Sequence, residues 1–420
     1  MKPCEINRLS DAATLRSYTD PRFKTMRFSV NILLPLGPEK AAVYGILPGL
    51  VTRATREYPT FAVLNQKLSS LYGASLSTSV RKLGAFQSLS LSVSGISGRY
   101  AFGGEDMTTE LLSLLFSAIF TPLKEETGLF PKEHFLQEQR QLLELKDAEY
   151  NDKVAYAHQK CEKLLYQGTP GAIDRYGERE EIAALSEDVL PQAWSNVLKN
   201  ARFEIFTLGD CSVDPDFFRE RFSQVGSELR LSAMPYAAPD SVLREIEEQP
   251  VGQSKLSMGF RVDAGADEKL LFQLMSAVFG GVPSSKLFQN VREKMSLCYY
   301  CSSSYLHLGR ALFVDSGVET ANLERAEQEI LHQLTLLQQG EISEEELLSA
   351  KLALCNSFRS VGDSLGAVEN WNLGQVFEEH PFTPEEAVDR VMRFTADEIA
   401  AAAHRVRPAA VFALKGTGVN

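Results

Sequence analysis

The sequence predicts an α+β protein of two homologous halves, each a mostly antiparallel sheet with helices packed on one face. Three observations carry this. The same order of elements occurs twice along the chain. Segments rich in Ser and aromatic residues read as paired strands rather than as strict strand–helix alternation. Stretches with one apolar stripe at helical spacing follow those pairs.

Each half opens on an alternating strand that runs to a glycine, FSVNILLPLG at 28–37 and KLSMGFRVDAG at 255–265. A helical stretch follows. Then come LYGASLSTSVRKLGAFQSLSLSVSG and LCYYCSSSYLHLGRALFVDSGVE, each expected to be a hairpin, with turns near Gly84 and Gly309. MTTELLSLLFSAIF and LERAEQEILHQLTLL are the next helix of each half, and a longer helix follows. Pro131 suits the first turn of one long helix, and Ser343 three residues before Glu346 caps the other. A short helix (Ser186 onward; Thr395 onward, again with a capping box to Glu398) and a closing strand (FEIFTLGD; AVFALKG) end each half. The segment 226–253, rich in Ala, Pro and Glu without a sustained period, is read as a linker between domains 1–225 and 254–420.

Composition narrows the function. A chain of 420 residues exceeds one ordinary core. A net charge of −12, from 43 basic and 55 acidic residues, argues against a nucleic-acid backbone as the ligand. Six cysteines are too few for a disulfide scaffold and fit a reducing cytosol. The N-terminus turns polar at once, and the longest apolar stretch, 111–123, is interrupted by Ser and Thr and is too short to span a bilayer. A cytoplasmic protein with no membrane segment is expected. Cys298 and Cys301 form a lone CxxC, read as two packing residues on opposite faces of a strand.

The repeat, together with GGVPSSKLFQNVREKMSLCYY at 280–300, resembles the short class of insulinase-like (M16, inverzincin) metallopeptidases, whose domains have the LuxS/MPP-like fold. The resemblance covers nearly the whole chain. Active members of that family carry H-x-x-E-H on the first long helix, which puts two imidazoles on one face and a general base between them. A glutamate from a later helix completes the zinc site. Here the corresponding stretch is YGILPGLVTRATREYPT at 44–60. Aligning Gly45 places Pro48, Val51 and Thr52 at the His, Glu and His positions, and shifting by a residue or two supplies no histidine. Pro48 is expected to start or bend the helix. Glu144, in QEQRQLLELKDAEYNDK at 137–153, lies near the expected distal ligand. No two of the six histidines lie three to five residues apart, so no metal, no cofactor and no catalytic residue are assigned.

In the family, an Arg and a Tyr seven residues apart in the second half reach the cleft and hold substrate backbone. Arg292 and Tyr299 match that spacing and are the substrate-binding candidates. A guanidinium fork can bond peptide carbonyls and a phenol can donate to one. The competing role is local: Arg292 pairing with Glu293, and Tyr299 packing in the sheet. Loss of the zinc motif with retention of Arg and Tyr resembles the non-catalytic subunit of bacterial heterodimeric M16 peptidases. The resemblance therefore implies an inactive peptidase homologue that binds peptide and completes the chamber of a zinc-bearing M16 paralogue. Relatives in that branch carry names linked to elongation factor P modification, for which these residues reveal no chemistry. The alternative reading is a soluble scaffold of the same fold with no role in proteolysis.

Overall fold

The structure is a computed structural model and describes residues 2–223, 225–231 and 241–418. The first half holds strands β1 (Glu5–Arg8), β2 (Ala13–Thr19), β3 (Thr25–Pro35), β4 (Ser75–Leu83), β5 (Phe86–Ile96) and β6 (Arg202–Gly209). Its helices are α1 (Ala41–Arg53), α2 (Phe61–Ser70), α3 (Met107–Phe120), α4 (Lys132–Asn151), α5 (Lys153–Leu165), α6 (Arg179–Ala183), α7 (Leu190–Asn200) and α8 (Pro215–Phe222). The second half holds β7 (Leu243–Gln249), β8 (Ser254–Val262), β9 (Cys298–Leu306), β10 (Ala311–Val318) and β11 (Val406–Gly416). Its helices are α9 (Lys269–Ser276), α10 (Leu323–Gln338), α11 (Glu344–Arg359), α12 (Leu365–Gly374), α13 (Pro384–Arg393) and α14 (Ala396–Ala403).

The strand orders are β1-β2-β6-β3-β5-β4 and β7-β11-β8-β10-β9. Apart from β1 the two orders correspond strand for strand. β2 lies parallel to β6, β7 lies parallel to β11, and every other neighbour is antiparallel. The expected α+β repeat is present, with one correction. The segment read as a linker, 226–253, contains β7, the counterpart of β2. Its sequence LREIEEQ faces solvent at most positions and hides its strand character under edge charges. Residues 232–240 of that segment lie outside the described residues. The second half therefore opens one strand, and the first half two, before the strand that apolar alternation suggested.

On one face of the first sheet, Phe28, Val30 and Ile32 of β3 and Leu89, Leu91 and Val93 of β5 meet α1, α3 and α7 in a continuous core. The second half repeats this with Met258 and Phe260 of β8 against α9, α10 and α14. The capping boxes at Ser343 and Thr395 are formed. The opposite face of each sheet is covered by a helix from the other half. α5 lays Ala157, Cys161 and Leu165 on Phe313, Ala410 and Phe412 of the second sheet. α12 lays Leu365 and Val368 on Phe206 and Leu208 of the first. On α12, Glu369 is buried and accepts from Ser29 Oγ (2.6 Å) and Asn31 Nδ2 (3.0 Å) of β3. This reciprocal exchange locks the halves together through buried apolar and polar contacts.

The α5 contact contains a titratable clasp. His158 Nδ1 lies 2.9 Å from Asp315 Oδ2, and Ser257 Oγ donates to Asp315 Oδ1 at 2.6 Å. Burial alone would lower the His158 pKa, but the hydrogen bond to Asp315 and its charge outweigh this and raise it above 6.5. A raised pKa in the folded state stabilises the fold fully below the unfolded value and ceases to do so as pH rises through the folded one. Urea titrations at about pH 5.5 and about pH 8.5 should therefore show a fall in stability with pH that His158→Gln reduces. An unchanged pH dependence in the variant would remove His158 from the clasp.

Candidate functional site

The face of α1 turned toward α4 is set by burial. Val51 is fully buried in the apolar core, and Pro48 and Leu47 are buried with it. Helical spacing then turns Gly49 and Arg53, four apart, onto α4. The α1 positions that meet α4 are therefore Gly49 and Arg53, each one residue after the Pro48 and Thr52 that the Gly45 alignment placed at the two histidines. A base at position 51 would lie in hydrocarbon. Pro48 neither starts nor ends the helix, which continues through it from Ala41 to Arg53. The Thr52 hydroxyl donates to Pro48 O at 2.8 Å.

Arg53 occupies the space between the helices. Its Nη2 lies 2.6 Å from Glu138 Oε1, its Nη1 donates to Gln137 Oε1 at 2.7 Å, and both partners of the ion pair are nearly buried, 11% and 12% exposed. The absence of a side chain at Gly49 leaves room for the Glu138 carboxylate, whose Oε2 lies where a Cβ would be. One helical turn before Glu138, burial followed by the charge of Arg53 lowers the His134 pKa. Glu144, expected near the distal ligand, is instead exposed and faces Arg140 at 3.9 Å. Glu138 is the α4 carboxylate that meets α1. The residues do not fit a zinc ion, because a guanidinium neutralises that carboxylate. Among the described residues, no group of three or more His, Cys, Asp or Glu could hold a metal ion.

The Arg292/Tyr299 region departs from regular geometry three times in thirteen residues. Residues Leu287–Lys294 form a π-helix, Ser296 adopts a left-handed conformation (φ +51°), and β9 bulges. Tyr300 pairs with Gly317 while Cys298 pairs with Val318, so Tyr299 is the extra residue. The bulge turns its ring outward, 60% exposed, with its hydroxyl donating to Glu319 at 3.3 Å. Tyr299 therefore does not pack in the sheet. Arg292 lies 4.5 Å over the Phe288 ring and 3.6 Å from Glu293, and its guanidinium makes no hydrogen bond among the described residues. At that distance and exposure the pair with Glu293 contributes little, and the donors stay available. π-bulges, β-bulges and left-handed non-glycine residues concentrate where side chains are aimed for function.

The bulge also corrects the reading of the CxxC. Cys298 and Cys301 both turn into the core instead of to opposite faces. A hydrogen bond with Cys301 brings the Cys298 thiol down to about 7 against its burial. Spacing alone could not show this, since the extra residue changes the parity of the strand.

The sequence profile of the peptidase M16 inactive domain matches residues 184–354. Over 94% of both chains, the sequence is 25% identical to a probable inactive metalloprotease, YmfF, of Bacillus subtilis. The chain is similar to proteins of the peptidase M16 family over nearly its whole length. A conserved protein of Enterococcus faecalis shares the fold over the full length of both chains, with a TM-score of 0.91 at 25% identity. An M16 inactive-domain protein from Pseudomonas fluorescens superposes with a TM-score of 0.80 over 99% of this chain and 98% of its own, at 16% identity. In sequence the chain is a homologue of inactive-type M16 proteins. No helix among the described residues is long and apolar enough to cross a membrane.

Proposed function

We propose that this chain is the non-catalytic subunit of a heterodimeric peptidase: it binds peptide and completes the chamber of a zinc-bearing M16 partner in the cytoplasm. The observation that carries this reading is the contrast between the two halves. In the first, the stretch that corresponds to the zinc helix of active relatives carries no histidine, and its Arg53 pairs with Glu138 of α4. In the second, three backbone irregularities present Tyr299 and leave the Arg292 donors free. β9 is an edge strand, so its outer side can accept an extended peptide by strand addition beside Tyr299. The guanidinium and phenol would then hold backbone carbonyls of that peptide.

The pure chain should not cleave peptides, and adding a zinc-bearing M16 paralogue should restore cleavage. Chelator-sensitive hydrolysis by the chain alone would refute the reading. In the assembled pair, Arg292→Ala should weaken peptide binding about tenfold, the loss of one or two charge-assisted hydrogen bonds, with the melting temperature unchanged because the side chain is half exposed. An assembled pair that binds peptide equally well with and without Arg292 leaves this protein a scaffold.

A further inference from the structure

A cavity of about 420 Å³ lies in the seam between the halves, where α5 crosses beside β4 and the end of β9. Its wall carries Arg81, Lys82, Lys163 and Arg175 against the carboxylates Glu162 and Asp174. Three of these cations already hold a carboxylate: Lys82 with Glu162, Lys163 with Glu178 and Arg175 with Glu149. Arg81, on the edge strand β4, makes no ion pair among the described residues; its partner is the side-chain oxygen of Asn370. His158 also lines the cavity. Asp315 fixes its Nδ1, and its Nε2 has no hydrogen-bond partner among the described residues. With Nδ1–H committed to Asp315, protonation makes Nε2 a donor. The open capacity of the site is therefore one guanidinium and one imidazolium whose charge Asp315 already balances, a net of one positive charge matched to a monoanion rather than to a phosphate dianion.

Apart from Gln159, the rest of the wall is apolar. Val80, Ile173 and Leu306 line the same cavity. A second cavity of about 260 Å³ shares Lys82, Glu162 and Leu306 with it and extends between the two hairpin tips past Leu83, Leu308 and Tyr305. The tips meet where Gly84 (φ +59°) faces Leu308. Pockets between packed units, apolar with a few convergent polar groups, are where small ligands bind.

We propose that this seam binds a monocarboxylate with a short apolar stem. The carboxylate sits between the Arg81 guanidinium and His158 Nε2, and the stem runs over Leu306 into the second cavity. Two sources fit this chemistry, the free C-terminus of a short peptide and a short aliphatic acid. The site belongs to the lone chain and does not depend on the partner or on Arg292.

The test is calorimetric titration of the full chain at about pH 6, where an ordinary imidazole is largely charged, with hexanoate, hexan-1-ol, acetyl-Ala-Leu and its C-terminal amide. Both acids should bind and the alcohol and amide should not, and the tighter acid names the source. Arg81→Gln and His158→Gln should each weaken binding about tenfold. Arg81 is exposed, so its variant tests the site even if the His158 variant disturbs α5. No binding of either acid at about 10 mM, equal binding of alcohol or amide, or indifference to both substitutions would overturn the proposal.

Discussion

Replacing Arg53 by alanine is expected to destabilise the protein by about 3 kcal/mol, because it strands the Glu138 carboxylate between α1 and α4. The pair is 11% and 12% exposed, so water can solvate the orphaned charge only in part. Gln137 loses its Nη1 donor in the same step. Removing both charges should be far milder: Arg53→Met with Glu138→Leu fills the gap with apolar volume and leaves no buried charge, and double replacements of this kind are often neutral. Urea unfolding of the two variants measures both effects. If Arg53→Ala cost less than about 1 kcal/mol, the pair would be equivalent to a surface ion pair, and the view that a guanidinium holds α1 against α4 would fail.

That pair also marks how far the sequence could be read. The repeat, the hairpins, the caps and the loss of paired imidazoles were legible, because periodicity and capping act over a few residues. The register of α1 was not. A glycine alignment placed Val51 at the base position, whereas Val51 packs into the core and Gly49 and Arg53 are the positions that meet α4. β7 was missed because its exposed charges protect an edge and erase alternation. The outward turn of Tyr299 and the inward turn of Cys298 and Cys301 depend on one inserted residue in a ladder whose partner lies far along the chain. The His158–Asp315 clasp and the buried Glu369 join residues separated by 157 and up to 342 positions. No local rule reaches that far. What was legible is the architecture that each half builds for itself; what was hidden is the exchange of α5 and α12 between the halves, and the seam cavity exists because of that exchange.

The face of α1 turned to α4 should accept a metal once ligands are placed on it. Gly49→His and Arg53→His put two imidazoles four residues apart on the face already turned to α4, and Thr52→Glu supplies the intervening carboxylate. Removing Arg53 frees Glu138 from its partner, and its carboxylate already lies where a side chain at position 49 would begin. Two imidazoles and one carboxylate leave a fourth position open, the ligand set of a catalytic rather than a structural site. The triple variant G49H/T52E/R53H should bind one equivalent of zinc with a dissociation constant on the order of 1 µM or below. At a hundredfold excess of free zinc over that constant, binding should stabilise the fold by about 2.7 kcal/mol, visible as a rise in melting temperature that the parent chain does not show. Adding Glu138→Gln to the triple variant should remove most of that rise, since a carboxamide is a poor zinc ligand. A triple variant that melts at the same temperature with and without zinc, or that ignores the loss of Glu138, would show that α1 and α4 no longer stand at the separation a shared ion requires. In that event the one-residue shift in register argued from Val51 would lose its support.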